Sequence, residues 1–145
     1  MRIAVASDHA GWALKQVVLD HLRARGFTVD DLGPEDCARV DYPDYGEQVA
    51  RAVAGGAADL GIALCGTGIG MSMTANKVPG IRAALCNEIY MAKMSRRHND
   101  ANVLCLGGRV IGPEVALEIV NVWLAEQFEG GRHAGRVAKI NRLDG

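Results

Sequence analysis

Five short apolar runs punctuate the chain: Ile3–Ala6, Val29–Leu32, Leu60–Leu64, Arg82–Cys86 and Val103–Leu106. They are rich in Val, Ile, Leu and Ala and lack polar alternation, the pattern of parallel strands buried on both faces. Between and after them lie segments of helical character: Trp12–Arg25, Tyr45–Ala54, Ser72–Lys77, Glu88–His98 and Pro113–Glu126. Pro113 stands in the favoured first-turn position of the last. Beyond a Gly130–Gly131 break, Arg132–Ile140 forms a further short basic helix. No repeat, linker or low-complexity stretch interrupts the alternation. It predicts a single doubly wound, Rossmann-like α/β domain over residues 1–145, with a five-stranded parallel sheet and helices on both faces.

Ligands in such sheets bind outside the carboxyl ends of the strands. The residues to inspect are therefore Ser7-Asp8-His9, Cys65–Gly70, Asn87-Glu88 and Gly107-Gly108-Arg109, together with His98-Asn99 at the end of the fourth helix. The stretch LCGTGIGMSMTANK, Leu64–Lys77, carries glycines at 66, 68 and 70 directly behind a cysteine. A dinucleotide fingerprint needs a glycine where Met71 stands, and the loop follows the third strand rather than the first. The Walker pattern is absent. A loop of alternating glycines opening a helix can instead turn its N–H groups on a developing oxyanion. The same positive end favours the thiolate of Cys65. That pairing suits nucleophilic acyl transfer or proton abstraction next to a carbonyl, and the residues alone leave both open. Arg132 and Arg136, at i and i+4, share one helix face and can grip a phosphate by charge-assisted bonds.

Composition narrows the field. Sixteen basic residues against seventeen acidic ones give a net charge of −1, which offers nothing to nucleic acid or to an anionic membrane. No apolar run approaches the ~18 residues of a membrane span. RIAVAS at the N-terminus has no signal-peptide pattern, so a cytoplasmic location is expected. Of the four cysteines, Cys86 and Cys105 lie in apolar runs and read as core residues, Cys37 sits in a polar loop without a role, and no C-x-x-C pair occurs.

Four stretches in register, SDHAG (7–11), CGTGIGMSMTANK (65–77), SRRHNDANVLCLGGR (95–109) and GGRHAGR (130–136), resemble the RpiB/LacAB family of sugar-phosphate isomerases. The resemblance spans essentially the whole chain. It implies aldose–ketose isomerisation, foremost of ribose 5-phosphate and ribulose 5-phosphate, through a cis-enediol(ate) and with neither metal nor organic cofactor. Relatives act on allose 6-phosphate, galactose 6-phosphate, tetrose phosphates or free sugars, and a non-catalytic sugar-phosphate-binding module is the alternative of another class. Carried over, Cys65 is the base, Thr67 and the N–H groups of Gly66, Thr67, Gly68, Ile69 and Gly70 hold the enediolate, and His98 opens the sugar ring. Asp8 binds the sugar, and His9, Arg132 and Arg136 hold the phosphate. Asn99 and Arg109 resemble positions that reach the site from a second subunit of a homodimer or homotetramer. One branch of the family uses a glutamate where Met71 stands here; the presence of Cys65 places this chain with the cysteine branch.

Overall fold

The computed structural model describes residues 1–145. Five strands, β1 (Arg2–Ser7), β2 (Thr28–Asp31), β3 (Leu60–Cys65), β4 (Ala83–Leu85) and β5 (Val103–Gly107), form one all-parallel sheet in the order β2-β1-β3-β5-β4. The helices are α1 (Trp12–Ala24), α2 (Tyr42–Ala54), α3 (Ile69–Ala75), α4 (Ile89–Arg97), α5 (Pro113–Ala125) and α6 (Arg132–Asn141), followed by a 3₁₀ turn over Arg142–Asp144.

Alternation along the strands divides the core unequally. Ile3, Val5, Ile62, Leu64, Leu104 and Leu106 point to one face and pack against Leu14, Val18, Leu19 and Leu22 of α1 and Ile119, Val120 and Trp123 of α5. Removing each such side chain from water contributes ~1.5–3 kcal/mol. Ala4, Ala6, Ala63, Cys65, Val103 and Cys105 point to the other face, beneath α2 and α3. Small residues there let the helices come close: a Cβ on Gly61 would lie 2.5 Å from Val49 Cγ1 of α2. Lys15, wholly buried, is satisfied by Asp31 Oδ1 at 2.9 Å and the Pro34 carbonyl at 2.8 Å.

The connections leaving β1 and β5 run to the large-residue face through α1 and α5, while the one leaving β3 runs to the small-residue face through α3. Neighbouring connections thus diverge on either side of β3 and open a crevice at its carboxyl end. Cys65 is the last residue of that strand.

Several boundaries differ from the sequence expectation. α2 begins at Tyr42 rather than Tyr45, because Pro43 occupies its first turn, where a missing N–H costs nothing. α3 begins at Ile69 rather than Ser72, so Gly70 is helical and the glycine loop is shorter than expected. β4 covers only Ala83–Leu85: Arg82 leaves the ladder, its N–H bonded to Asn102 Oδ1 at 2.8 Å. No helix is long and apolar enough to cross a membrane.

Candidate active site

Gly68 makes the turn from β3 into α3. Its φ of 86° lies in the left-handed region, and a Cβ there would fall 2.4 Å from Leu85 Cδ1 and 3.1 Å from the Leu106 carbonyl carbon. Gly107 meets the loop from the other side, since a Cβ on it would lie 2.6 Å from Thr67 O. Asn87, just past β4, buckles the two together: its Nδ2 donates to Thr67 O at 2.9 Å and its Oδ1 accepts the Gly107 N–H at 2.9 Å. Gly108 N–H donates to Cys65 O (2.8 Å) and Arg109 N–H to Gly66 O (3.0 Å).

With its carbonyls tied down, the loop turns its donors inward. Gly68 N–H donates to Cys65 Sγ at 3.2 Å, a contact that strengthens as the sulfur gains negative charge. The N–H groups of Gly66, Thr67, Gly70 and Met71 have no acceptor within the chain. α3 has only seven residues, so these loop donors, rather than a helix macrodipole, are what an oxyanion would meet. Thr67 Oγ1 accepts the Ile69 N–H at 3.2 Å, leaving its own hydroxyl proton free to donate.

Beside the loop is a cleft of about 380 Å³ whose walls include Asp8, Tyr42, Cys65, Thr67, Ile69 and Met73. Asp8 is buried and oriented by the Gly11 N–H, 3.0 Å from Oδ1. His9 Nδ1 accepts the Val40 N–H at 3.2 Å, which puts the proton of the neutral ring on Nε2. Arg109, expected to arrive from a second subunit, lies along the loop of its own chain, its Cδ 3.6 Å from a Cβ built on Gly66. Burial pushes the Cys86 thiol up to about 11 and that of Cys105 upward as well. Both are core residues, as their apolar surroundings predict. Tyr42, Met73 and Asn87 gained no role from the sequence, although Asn87 stands at a strand end.

His98, Asn99, Arg132 and Arg136 are not at this cleft. Cys65 is paired with Gly107, and Gly61 with Val103. Those four residues of strand are ~13 Å of rise. α4 leaves the carboxyl end of β4 and runs back, so His98 and Asn99 lie beyond the start of β5, at the amino end of the sheet. α6 lies at the same end: Arg82 beside β4 bonds Asn141 Oδ1 at 3.0 Å, and Asp144 accepts the Gly80 N–H at 2.8 Å. Asn99 opens into a hollow of about 500 Å³ shared with Arg82, Ile140, Leu143 and Asp144, which is lined by no cysteine, serine or histidine.

At this amino end His98 stacks on buried His133, ring centroids 4.1 Å apart and planes 13° from parallel. Glu129 Oε1 lies 3.7 Å from His98 Nε2 and 3.5 Å from His133 Nε2. Its Oε2 accepts from Arg97 Nε at 2.7 Å. Burial, then the charges of His98, Arg132 and Arg136, hold the His133 imidazole below its ordinary value against the pull of Glu129. Burial raises the Glu129 carboxyl, but the bond and charge of Arg97 and the two histidines more than offset it, so it too lies below its ordinary value. Arg132 and Arg136 are exposed on α6, free to receive an anion. Glu129 and His133 also escaped the sequence reading; nothing marked the glutamate.

The family model described as ribose/galactose isomerase matches residues 3–140. Ribose-5-phosphate isomerase B of Escherichia coli K12 is 52% identical over 143 residues, 99% of this chain and 96% of that protein. The solved structure of Clostridium thermocellum ribose-5-phosphate isomerase B superposes with a TM-score of 0.98 at 55% identity, covering 99% of this chain and 97% of that one. Ribose-5-phosphate isomerase B of Mycoplasma genitalium, solved with bound ribulose-5-phosphate, gives a TM-score of 0.95 at 45% identity, covering 99% of this chain and 95% of that one.

Proposed function

Because the chain belongs to the ribose/galactose isomerase family, we propose that it interconverts D-ribose 5-phosphate and D-ribulose 5-phosphate through a cis-enediol(ate), with Cys65 as the base. One observation carries the reading. The sulfur of Cys65 stands at the end of β3, bonded by one loop N–H, beside a cleft and next to loop donors that have no other acceptor.

In the aldose-to-ketose direction the Cys65 thiolate takes the proton from C2, the C1 carbonyl oxygen gains the charge, and the loop donors stabilise it. The thiol then returns the proton to C1 while the C2 hydroxyl proton passes to the charged C1 oxygen, leaving the C2 ketone and a C1 hydroxyl. Thr67 Oγ–H donates to an enediolate oxygen, and Asp8 accepts from a sugar hydroxyl. His98 moves the proton of the anomeric hydroxyl to the ring oxygen. Arg132 and Arg136, with His9, hold the phosphate.

The opposite ends at which these groups lie support a site shared between subunits. Asp8, His9, the 65–70 loop and Arg109 come from one protomer of a homodimer, and His98, Asn99, Arg132 and Arg136 from its partner. This division differs from the sequence expectation, which sent only Asn99 and Arg109 across. The test is Cys65→Ala, assayed with ribose 5-phosphate in EDTA. Isomerisation and solvent-deuterium incorporation at the migrating position should both vanish, while ribulose 5-phosphate still binds. Substantial turnover by the variant removes Cys65 as the base.

A further inference from the structure

We propose that Arg82 is a positioning residue for the groups at the amino end of the sheet: its guanidinium fixes the turn that presents His98 and Asn99 against α6, the helix of Arg132 and Arg136. Each guanidinium nitrogen goes to one of these two segments. Nε donates to Asp100 O at 2.9 Å and Nη2 to Asp100 Oδ2 at 3.4 Å, both in the turn that follows α4. Nη1 donates to Asn141 Oδ1 at 3.0 Å, at the last residue of α6. The side chain is only 17% exposed, so water competes weakly for these bonds. The backbone of Arg82 is held as well. Its N–H donates to Asn102 Oδ1 at 2.8 Å, and its carbonyl accepts the Asn102 N–H at 3.0 Å.

The turn is strained, and that is why it needs an anchor. Asp100, with φ 49°, is the one non-glycine residue of the chain in the left-handed region. A residue with a Cβ keeps that conformation only where its surroundings impose it. Arg82 takes the Asp100 carbonyl, and Arg96 Nη1 donates to the next one, Ala101 O. With residues 100 and 101 pinned, the direction of the chain at His98 and Asn99 is set. The stack of His98 on His133 joins the end of α4 to the start of α6, while Arg82 joins the following turn to the end of α6. The helix of the two arginines is therefore held at both ends relative to His98. A guanidinium suits this task because its rigid fork reaches separate acceptors at once. An ammonium carries the same charge without that fork.

The consequence for turnover rests on the role proposed above for His98, whereas the positioning does not. Arg82→Lys keeps the charge and loses the fork. A catalytic group displaced by ~1 Å costs on the order of a hundredfold, so turnover of cyclic ribose 5-phosphate should fall at least tenfold. The open-chain form should lose far less, through Asn99 alone. In a His98→Asn background the same change should add little, because both act through one group. Equal losses on the two forms, or a full tenfold added to His98→Asn, would mean general damage and overturn the proposal. The chain has four histidines, so ¹³C labelling at Cε1 gives four resonances, assigned by replacing His9, His21 and His98 one at a time. Those of His98 and His133 should lose the ring-current shift of the stack in Arg82→Lys, while those of His9 and His21 stay in place. If His98→Asn slows both forms alike, the fault lies in the role given to His98, and the resonances alone decide the positioning: unmoved, they overturn it. If Arg82→Lys fails the circular-dichroism check for folding, Asn141→Ala, an exposed change that frees the end of α6, takes its place. At least a threefold loss on the cyclic form is expected there, and no loss overturns the proposal.

Discussion

His98 and the two arginines of α6 are the side chains whose roles can be separated by choice of substrate. If His98 acts on the ring oxygen and the anomeric hydroxyl, His98→Asn should slow turnover of the cyclic sugar far more than that of the open-chain form. Pre-steady-state comparison of the two forms checks this, and equal losses would reassign His98 to binding or to the enediol step. If Arg132 and Arg136 clamp the phosphate, Arg132→Ala or Arg136→Ala removes charge-assisted bonds of ~1.5–3 kcal/mol each. kcat/KM for ribose 5-phosphate should then fall at least about tenfold per substitution. Activity on free ribose, which never meets the clamp, should hardly change. The ratio of the two activities cancels general damage to the fold. Equal losses on both sugars would mean that the arginines hold the structure or the subunit contact instead.

Among the elements, the buckle between the loop after β3 and the end of β5 governs the donors around Cys65. Asn87→Ala leaves the Gly107 N–H and Thr67 O without their partner, a cost of ~1–3 kcal/mol if the groups stay dry. The loosened donors should lower kcat more than they raise KM, and a denaturant melt with steady-state kinetics would show it. An Asn87→Ala enzyme with wild-type kcat would mean that the loop holds its shape unaided. Much of this architecture is legible in the chain. Each of the five runs holds a strand of the sheet, although Val29–Leu32 carries Asp30 and exposed Asp31 and forms the edge strand β2. The sequence alone places the start of α3 too late, because three glycines look like one open loop. Gly68 alone takes the left-handed turn, and Gly70 is a helical residue with no room for a Cβ under Tyr42, whose Cε1 would be 2.2 Å away. The position of His98 is hidden in the sequence for a different reason. Its motif resembles those at the strand ends, but a helix that leaves one end of a parallel sheet delivers its last residue to the other. Reading which end a residue reaches needs the strand register as well as the motif.

On the scale of the whole molecule, the proposed site requires a twofold dimer that joins the groups at opposite ends of two subunits in pairs. Complementation tests this arrangement. Cys65→Ala chains and Arg132→Ala/Arg136→Ala chains should each be nearly inactive alone. After co-refolding at equal amounts, half the dimers are mixed and carry one intact site of two, so about a quarter of the wild-type rate should return. No recovery, with mixed dimers demonstrated by mass, would place all the groups of each site on one chain. The sheet also constrains how such a site can diversify. Beneath Cys65 the layer is Ala4, Ala6, Gly61 and Ala63, flanked by Val103 and Cys105 of β5, small side chains that leave little to truncate. Little space for a longer sugar can be dug from that floor. Selection for a four-, five- or six-carbon substrate must therefore work on the walls, through Tyr42, Met73 and whatever the second subunit brings. Libraries that vary those positions and leave the strands alone are where altered chain-length preference should be found.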